Sequence, residues 1–369
     1  MEKQNLNARS VALTFAGSFL GAGYVSGQEL WQFFGAFGAR GLVGVAAAMV
    51  LLAAFGLALM NIIAHTGVAE MDTVLVPWEK MHWLRRVSST LQLILLFGVA
   101  AIMYAGGGAL LCQLFSLPTW LGSVFMAVCV TLVALRGLRG TVGAFSLIVP
   151  IIVTLTLLFG AMALVRCGLH IPTSGAATGS NPLMRSAALA AVNFAFYNFF
   201  GSVGILAPLG GAAASDRDAR RGVLLGTTLL LVIAYSVLLS VMTTPKTAEA
   251  ELPMLALAYT LSRPLGYLYG ILLLLCMYGS ALSMTVAIVT YASGRSPRIA
   301  ARRTGFIVVL GACAFAGSLV GFGDLIGVVY PIFGYCSSLF LVCLLIHAAQ
   351  VRREEKSALT ESAEQDTPH

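Results

Sequence analysis

Gly17-Ser18-Phe19-Leu20-Gly21-Ala22-Gly23-Tyr24 and Tyr197-Asn198-Phe199-Phe200-Gly201-Ser202-Val203-Gly204 are the two stretches that decide the fold. Each lies deep inside a long apolar run. Glycine weakens a helix by ~1 kcal/mol per residue relative to alanine. Two glycine clusters at corresponding places predict helices interrupted near the middle of a membrane, where a solute can meet bare backbone. The competing explanation is close helix packing, since Gly17 and Gly21 have the GxxxG spacing.

Around these stretches the composition is that of a membrane protein. The chain has 369 residues, 59% hydrophobic and 10% charged, where a soluble domain carries about 25% charged residues. Apolar segments long enough to cross a bilayer core of ~30 Å recur throughout. The run behind the polar N-terminus, Val11 to Phe37, is longer than the apolar region of a signal peptide and is expected to be retained as the first span. The tail from Arg352 to His369 is charged and reads as disordered. The seven cysteines are scattered through apolar runs without a CxxC pair, so neither a disulfide framework nor a zinc site is expected.

Hydropathy and breaker residues place ten helices near 10–37, 40–64, 87–115, 119–136, 140–166, 185–210, 222–243, 264–292, 303–320 and 324–350. The expected fold class is an all-α polytopic membrane protein. Of the 22 Lys and Arg residues, 17 fall on one side of such a topology and 5 on the other. The basic side is cytoplasmic under the positive-inside rule, which puts both termini inside and the protein in a bacterial-type inner membrane. The net charge of +7 therefore points to the bilayer, not to nucleic acid.

The halves 10–166 and 185–350 follow one plan, between a short N-terminus (1–9) and the tail (351–369). In each half the second and third helices are separated by an insert, His65–Arg86 of 22 residues and Thr244–Arg263 of 20. Five helices per half is odd, so the repeat is inverted.

At these residues a resemblance emerges. Gly21-Ala22-Gly23-Tyr24-Val25-Ser26-Gly27-Gln28-Glu29 resembles the opening motif of the YkvI-type membrane proteins, an amino acid permease family. Tyr197-Asn198 and Ile205-Leu206-Ala207-Pro208-Leu209-Gly210 are similar to that family's sixth helix. The likeness covers most of residues 9–350. It implies membership of the amino acid–polyamine–organocation superfamily, the LeuT-type fold of five plus five inverted helices with helices one and six broken, and alternating access. It also implies a small amino-acid-like or zwitterionic solute.

Glu29 is the ionisable side chain that falls well inside a predicted span. A carboxylate there is costly, ~2.5–3.5 kcal/mol for Asp on insertion scales. It is expected to be a proton-coupling group or a contact for a substrate amine, with a satisfied structural carboxylate as the plainer alternative. At broken helices, free N–H groups suit a substrate carboxylate and unwound carbonyls suit a cation. The candidate substrate residues are thus Gly21, Ala22, Gly23, Ser26, Glu29, Tyr104, Asn198, Gly201 and Ser202.

The resemblance implies two further places. An outer gate would use Asp324, whose usual arginine partner is replaced by Gly27, leaving Arg40 as a substitute; a solvated helix cap is the plainer role for Asp324. A sodium site would use the carbonyls of Gly17, Leu20 and Ser280 with hydroxyls at two adjacent positions. These read Ser283-Met284, or Met284-Thr285 one residue on. Either register has one hydroxyl and one thioether, and a hard cation prefers oxygen. Coupling to H+ is therefore expected ahead of Na+, with no cofactor.

Gly321-Phe322-Gly323-Asp324 also matches the GxGD signature of intramembrane aspartyl proteases. That chemistry needs two carboxylates in one site, and no second intramembrane Asp and no Tyr-Asp dipeptide exist. HExxH, Walker A and GxSxG are absent. A transporter is expected, with a channel as the alternative; oligomeric state is left open by the sequence.

Overall fold

The computed structural model describes residues 6–68, 70–136, 142–168, 171 and 181–365. Lys3, Arg139 and the last four residues of the tail, on which parts of the charge and tail readings rest, lie outside them.

The first predicted helix is three pieces: α1 (Ala8–Phe19), α2 (Ala22–Ser26) and α3 (Gln28–Phe34). Asn7 caps α1 by accepting from the Ser10 N–H at 3.0 Å, as N-cap residues do. The ladder fails at Leu20, whose ψ is 70°, and Gly21 is extended. The Gly21 N–H turns to the Phe19 carbonyl at 2.8 Å. A second interruption follows at Gly27, whose φ of +85° is strained for any residue with a Cβ.

Then come α4 (Ala39–Thr66), α5 (Met71–Leu75), α6 (His82–Phe115), α7 (Thr119–Arg136) and α8 (Val142–Cys167). The second half has α9 (Ala187–Ala212), α10 (Asp216–Thr243), α11 (Pro245–Ala248), α12 (Pro253–Leu261), α13 (Arg263–Arg295), α14 (Pro297–Ala301), α15 (Arg303–Ser318) and α16 (Phe322–Gln365). Eight of these helices are long and apolar enough to cross a membrane. The 16-residue α15, about 24 Å long at 1.5 Å per residue, and the interrupted α1–α3 complete the ten predicted segments.

The packing has the inverted symmetry. α1 lies on α10 as α9 lies on α4. α15 meets α6 as α7 meets α13, and α8 meets α10 as α16 meets α4. Each insert carries short helices, α5 in the first and α11–α12 in the second. Even the prolines correspond, Pro150 within α8 and Pro331 within α16. Pro331 has no N–H to give the Gly327 carbonyl, and the Asn181 side-chain amide donates to that carbonyl instead, at 2.6 Å.

Two expectations are corrected. The sixth predicted helix is not broken: α9 is continuous from Ala187 to Ala212, through Gly201 and Gly204. Neither glycine has positive φ, and their propensity cost is small beside the ladder around them. The tail is not disordered as far as it is described. α16 runs on to Gln365, because a charged segment of good helix formers extends an existing helix without a new nucleus. His65 reaches Glu355 across 3.3 Å and ties that extension to α4.

Candidate functional site

An interrupted helix leaves backbone groups that must be satisfied inside the protein. Here side chains do it. Tyr269 on α13 donates its hydroxyl to the Val25 carbonyl at 2.8 Å, and Thr156 on α8 lies 2.8 Å from the same hydroxyl. Ser26 donates to the Gly23 carbonyl at 2.9 Å. Ser202 on α9 donates to the Ser18 carbonyl at 3.1 Å, joining the end of α1 to the helix it faces.

Beside the interruption at Leu20–Gly21 is a cavity of about 120 Å³. In this measure one water needs ~10–15 Å³, so a small organic molecule fits. Glu29, 4% exposed, reaches it from α3. Tyr197 donates its hydroxyl to Glu29 Oε1, and the Asn198 amide nitrogen lies 3.4 Å from the same oxygen. Among the described residues no group donates to Oε2. A Cβ built on Gly23 would stand 2.8 Å from Oε2, so the carboxylate lies against the first turn of α2. The Tyr197 and Tyr330 rings stack beside it, centroids 4.6 Å apart and 15° from parallel. Leu95, Val99 and Met103 from α6 form an apolar wall, and Ser280 and Met284 of α13 close the far side.

Of the substrate residues expected from sequence, the structure places Gly21, Glu29, Asn198, Gly201 and Ser202 on this cavity. Gly23 lies behind Glu29, and Ala22 is buried beside it. Ser26 is spent on backbone. Tyr104 is buried, with no hydrogen-bond partner for its hydroxyl among the described residues; it does not line the cavity that its neighbour Met103 faces. Of the cation residues, Ser280 lines the cavity and Ser283 does not. Ser283 is exposed, because on a helix the face of Ser280 continues at Met284. Gly17 is exposed and Leu20 half-buried; neither lines the cavity.

Asp324 is exposed in the first turn of α16, and no ion pair joins it to Arg40 among the described residues. Its charged neighbour is Glu251, which accepts from the Phe322 N–H at 3.3 Å. Burial, and then the Asp324 charge, push the Glu251 carboxyl above its ordinary range. On this side of the cavity α3 lies along α16. A Cβ on Gly323 would stand 2.6 Å from Gln28 Nε2, and one on Gly327 3.2 Å from Gln32 Oε1. On the opposite side a cavity of about 420 Å³ runs along α5, α6 and α13 to Asp72 and Tyr291, and Leu96 lines both cavities.

Tyr330, Ser18 and Met103 were not anticipated from sequence as site residues, and Tyr197 only as part of a motif. Tyr197 had a signal: it stands next to Asn198 and one turn before Gly201. Tyr330 had none beyond preceding Pro331.

No family model matches the chain. Among curated proteins it is 25% identical to the uncharacterised membrane protein YkvI of Bacillus subtilis (strain 168), over 96% of this chain and 99% of that protein. It is 28% identical to YyaD of the same organism, over 91% of this chain and 95% of that one. Among solved structures it superposes on MhsT in complex with L-phenylalanine with a TM-score of 0.58 at 16% identity, covering 95% of this chain and 89% of MhsT. Mhp1, a nucleobase-cation-symport-1 family transporter bound to bromovinylhydantoin, gives 0.54 at 10% identity, with 94% and 75% covered. In sequence the chain is similar to YkvI and YyaD over nearly its whole length, and its fold is the LeuT-type fold of a polytopic, all-α membrane protein.

Proposed function

We propose that this protein is a secondary transporter, moving a small amine-bearing solute across the cytoplasmic membrane by alternating access. One observation carries this reading. A carboxylate with a free oxygen, Glu29 Oε2, lies in a small buried cavity where the first helix is interrupted. A buried ionisable group in a membrane protein is a functional candidate, and the interruption lies where transporters of inverted-repeat design bind solute. The second cavity, separated from the first by Leu96, lies on the α5 side. The amide contact of α3 on α16 closes the Asp324 side.

The charge distribution orients the molecule, with α5 and α14 cytoplasmic and α11 external. A cysteine introduced near Lys80 or Arg298 is expected to resist a membrane-impermeant thiol reagent in intact cells, and one near Lys246 to react. Labelling near Arg298 from outside would overturn this orientation.

Coupling is to protons, or transport follows the solute gradient alone; sodium is not required. Met284, a thioether, stands where a hard cation would want oxygen, and Ser283 is turned away. Uptake into proteoliposomes is expected to persist when external sodium is replaced by choline at fixed pH. A fall of about tenfold or more would make sodium the coupling ion, since oxygen ligands from backbone and water can hold it.

A further inference from the structure

Building on the transport reading, we infer that the solute is a small organic amine, bound as its ammonium, and not a zwitterionic amino acid. The side chains facing the cavity offer more acceptors than donors. Ser18 gives its hydroxyl proton to the Phe15 carbonyl at 2.7 Å, and Ser202 gives its own to the Ser18 carbonyl at 3.1 Å. Tyr197 spends its proton on Glu29 Oε1. The Asn198 amide nitrogen donates to the Phe194 carbonyl at 3.1 Å and lies 3.4 Å from Glu29 Oε1. Four polar side chains thus have their donors committed to the protein. What they hold toward a ligand is lone pairs.

Glu29 Oε2 adds a further acceptor with no partner among the described residues. A carboxylate ligand is acceptor-only, whereas an ammonium carries three donors and no acceptor. Glu29, the charged side chain on the cavity, fits the second. Ser280 and Tyr330 keep uncommitted hydroxyls, and the N–H groups of Ala22, Gly23 and Tyr24 at the start of α2 have no acceptor among the described residues, but all of these donors are neutral, and no Lys, Arg or His among the described residues lines the cavity. The backbone place for a solute carboxylate, at the start of α2, has the Glu29 carboxylate packed on Gly23. A second carboxylate there would meet like charge.

The surroundings favour the same ligand. The stacked Tyr197 and Tyr330 rings lie beside Glu29, and aromatic faces attract organic cations. Leu95, Val99 and Met103 offer an apolar wall to an alkyl body. The occupant is accordingly an ammonium head on a short apolar chain.

The test uses the full-length protein in proteoliposomes with pairs matched in side chain: isobutylamine against valine, and isopentylamine against leucine. Uptake and counterflow of radiolabelled isobutylamine are measured with each unlabelled compound as competitor. Calorimetry on the purified protein gives the affinities directly. The amines are expected to be transported and to bind at least about tenfold more tightly than their carboxylated partners, a difference of ~1.4 kcal/mol. Equal or tighter binding of valine and leucine would overturn the amine inference and leave the transport reading standing. Absence of binding and counterflow for both classes would overturn the transport reading, and this inference with it.

Discussion

Gly23→Leu is expected to abolish uptake while the protein still inserts and folds. Gly23 lies in α2, between the two interruptions of the first helix, and a Cβ there would be 2.8 Å from Glu29 Oε2 and 3.6 Å from Ile326 Cδ1. A real Cβ does not sit that close to a carboxylate oxygen. The carboxyl group would have to leave its place, and the rest of the leucine would enter the space it vacates. Leucine also raises helix propensity by nearly 1 kcal/mol, so α2 itself gains and the fold is not the casualty. The variant should reach the membrane in normal amount, elute as the wild type does in size-exclusion chromatography, and transport nothing above empty liposomes. Wild-type uptake by this variant would mean that the position of Glu29 does not matter to transport. The glycines of the first helix would then serve packing.

The second large effect is at Glu29 itself. Glu29→Gln keeps the volume and can still accept from Tyr197, so the structure around it is preserved. It removes the charge and the one carboxyl group among the described residues lining the cavity. Uptake by the variant is expected to lose most of its dependence on pH across the near-neutral range. It should also fall by about ten- to a hundredfold, the equivalent of a charge-assisted hydrogen bond of ~1.5–3 kcal/mol. The measurement is the initial rate of uptake against pH for both proteins in the same liposome preparation. A variant whose pH profile parallels the wild type would make Glu29 a structural carboxylate and move the proton elsewhere.

These two residues also mark how far the sequence could be read. Spans and repeat were legible because the bilayer imposes helix length and the inverted plan repeats the spacing of inserts. The interruption near Gly21 was legible for a backbone reason, since glycines in an apolar run signal departure from helix. The same signal misled at Gly201 and Gly204, which α9 passes through unbroken. Composition cannot tell a glycine that yields from one held in a packed ladder. Glu29 stood out as a charge in an apolar segment. Its partners did not: Tyr197 is 168 residues away along the chain, and aromatic residues occur in every span. Ser283 failed for a simpler reason, because a hydroxyl at the right distance along a helix still has to lie on the right face. The tail failed because charged composition was taken for disorder, when an existing helix could carry it on to Gln365.

The contact of α3 with α16 has a consequence for energetics in a membrane. Gln28 and Gln32 meet Gly323 and Gly327 there, so the junction is made of amides on bare backbone. Parting this junction breaks contacts between dipoles, and the carboxylates that move with it, in the first turns of the two helices, are Glu29 on α3 and Asp324 on α16. The ~2.3 kcal/mol that 100 mV exerts on each charge carried across a bilayer does not act on the dipole contacts. Nor does the ionic atmosphere, which weakens contacts between charges, loosen them. The junction itself is in this sense electrically silent, and whatever sensitivity to voltage its opening has belongs to those two carboxylates and to what Glu29 carries.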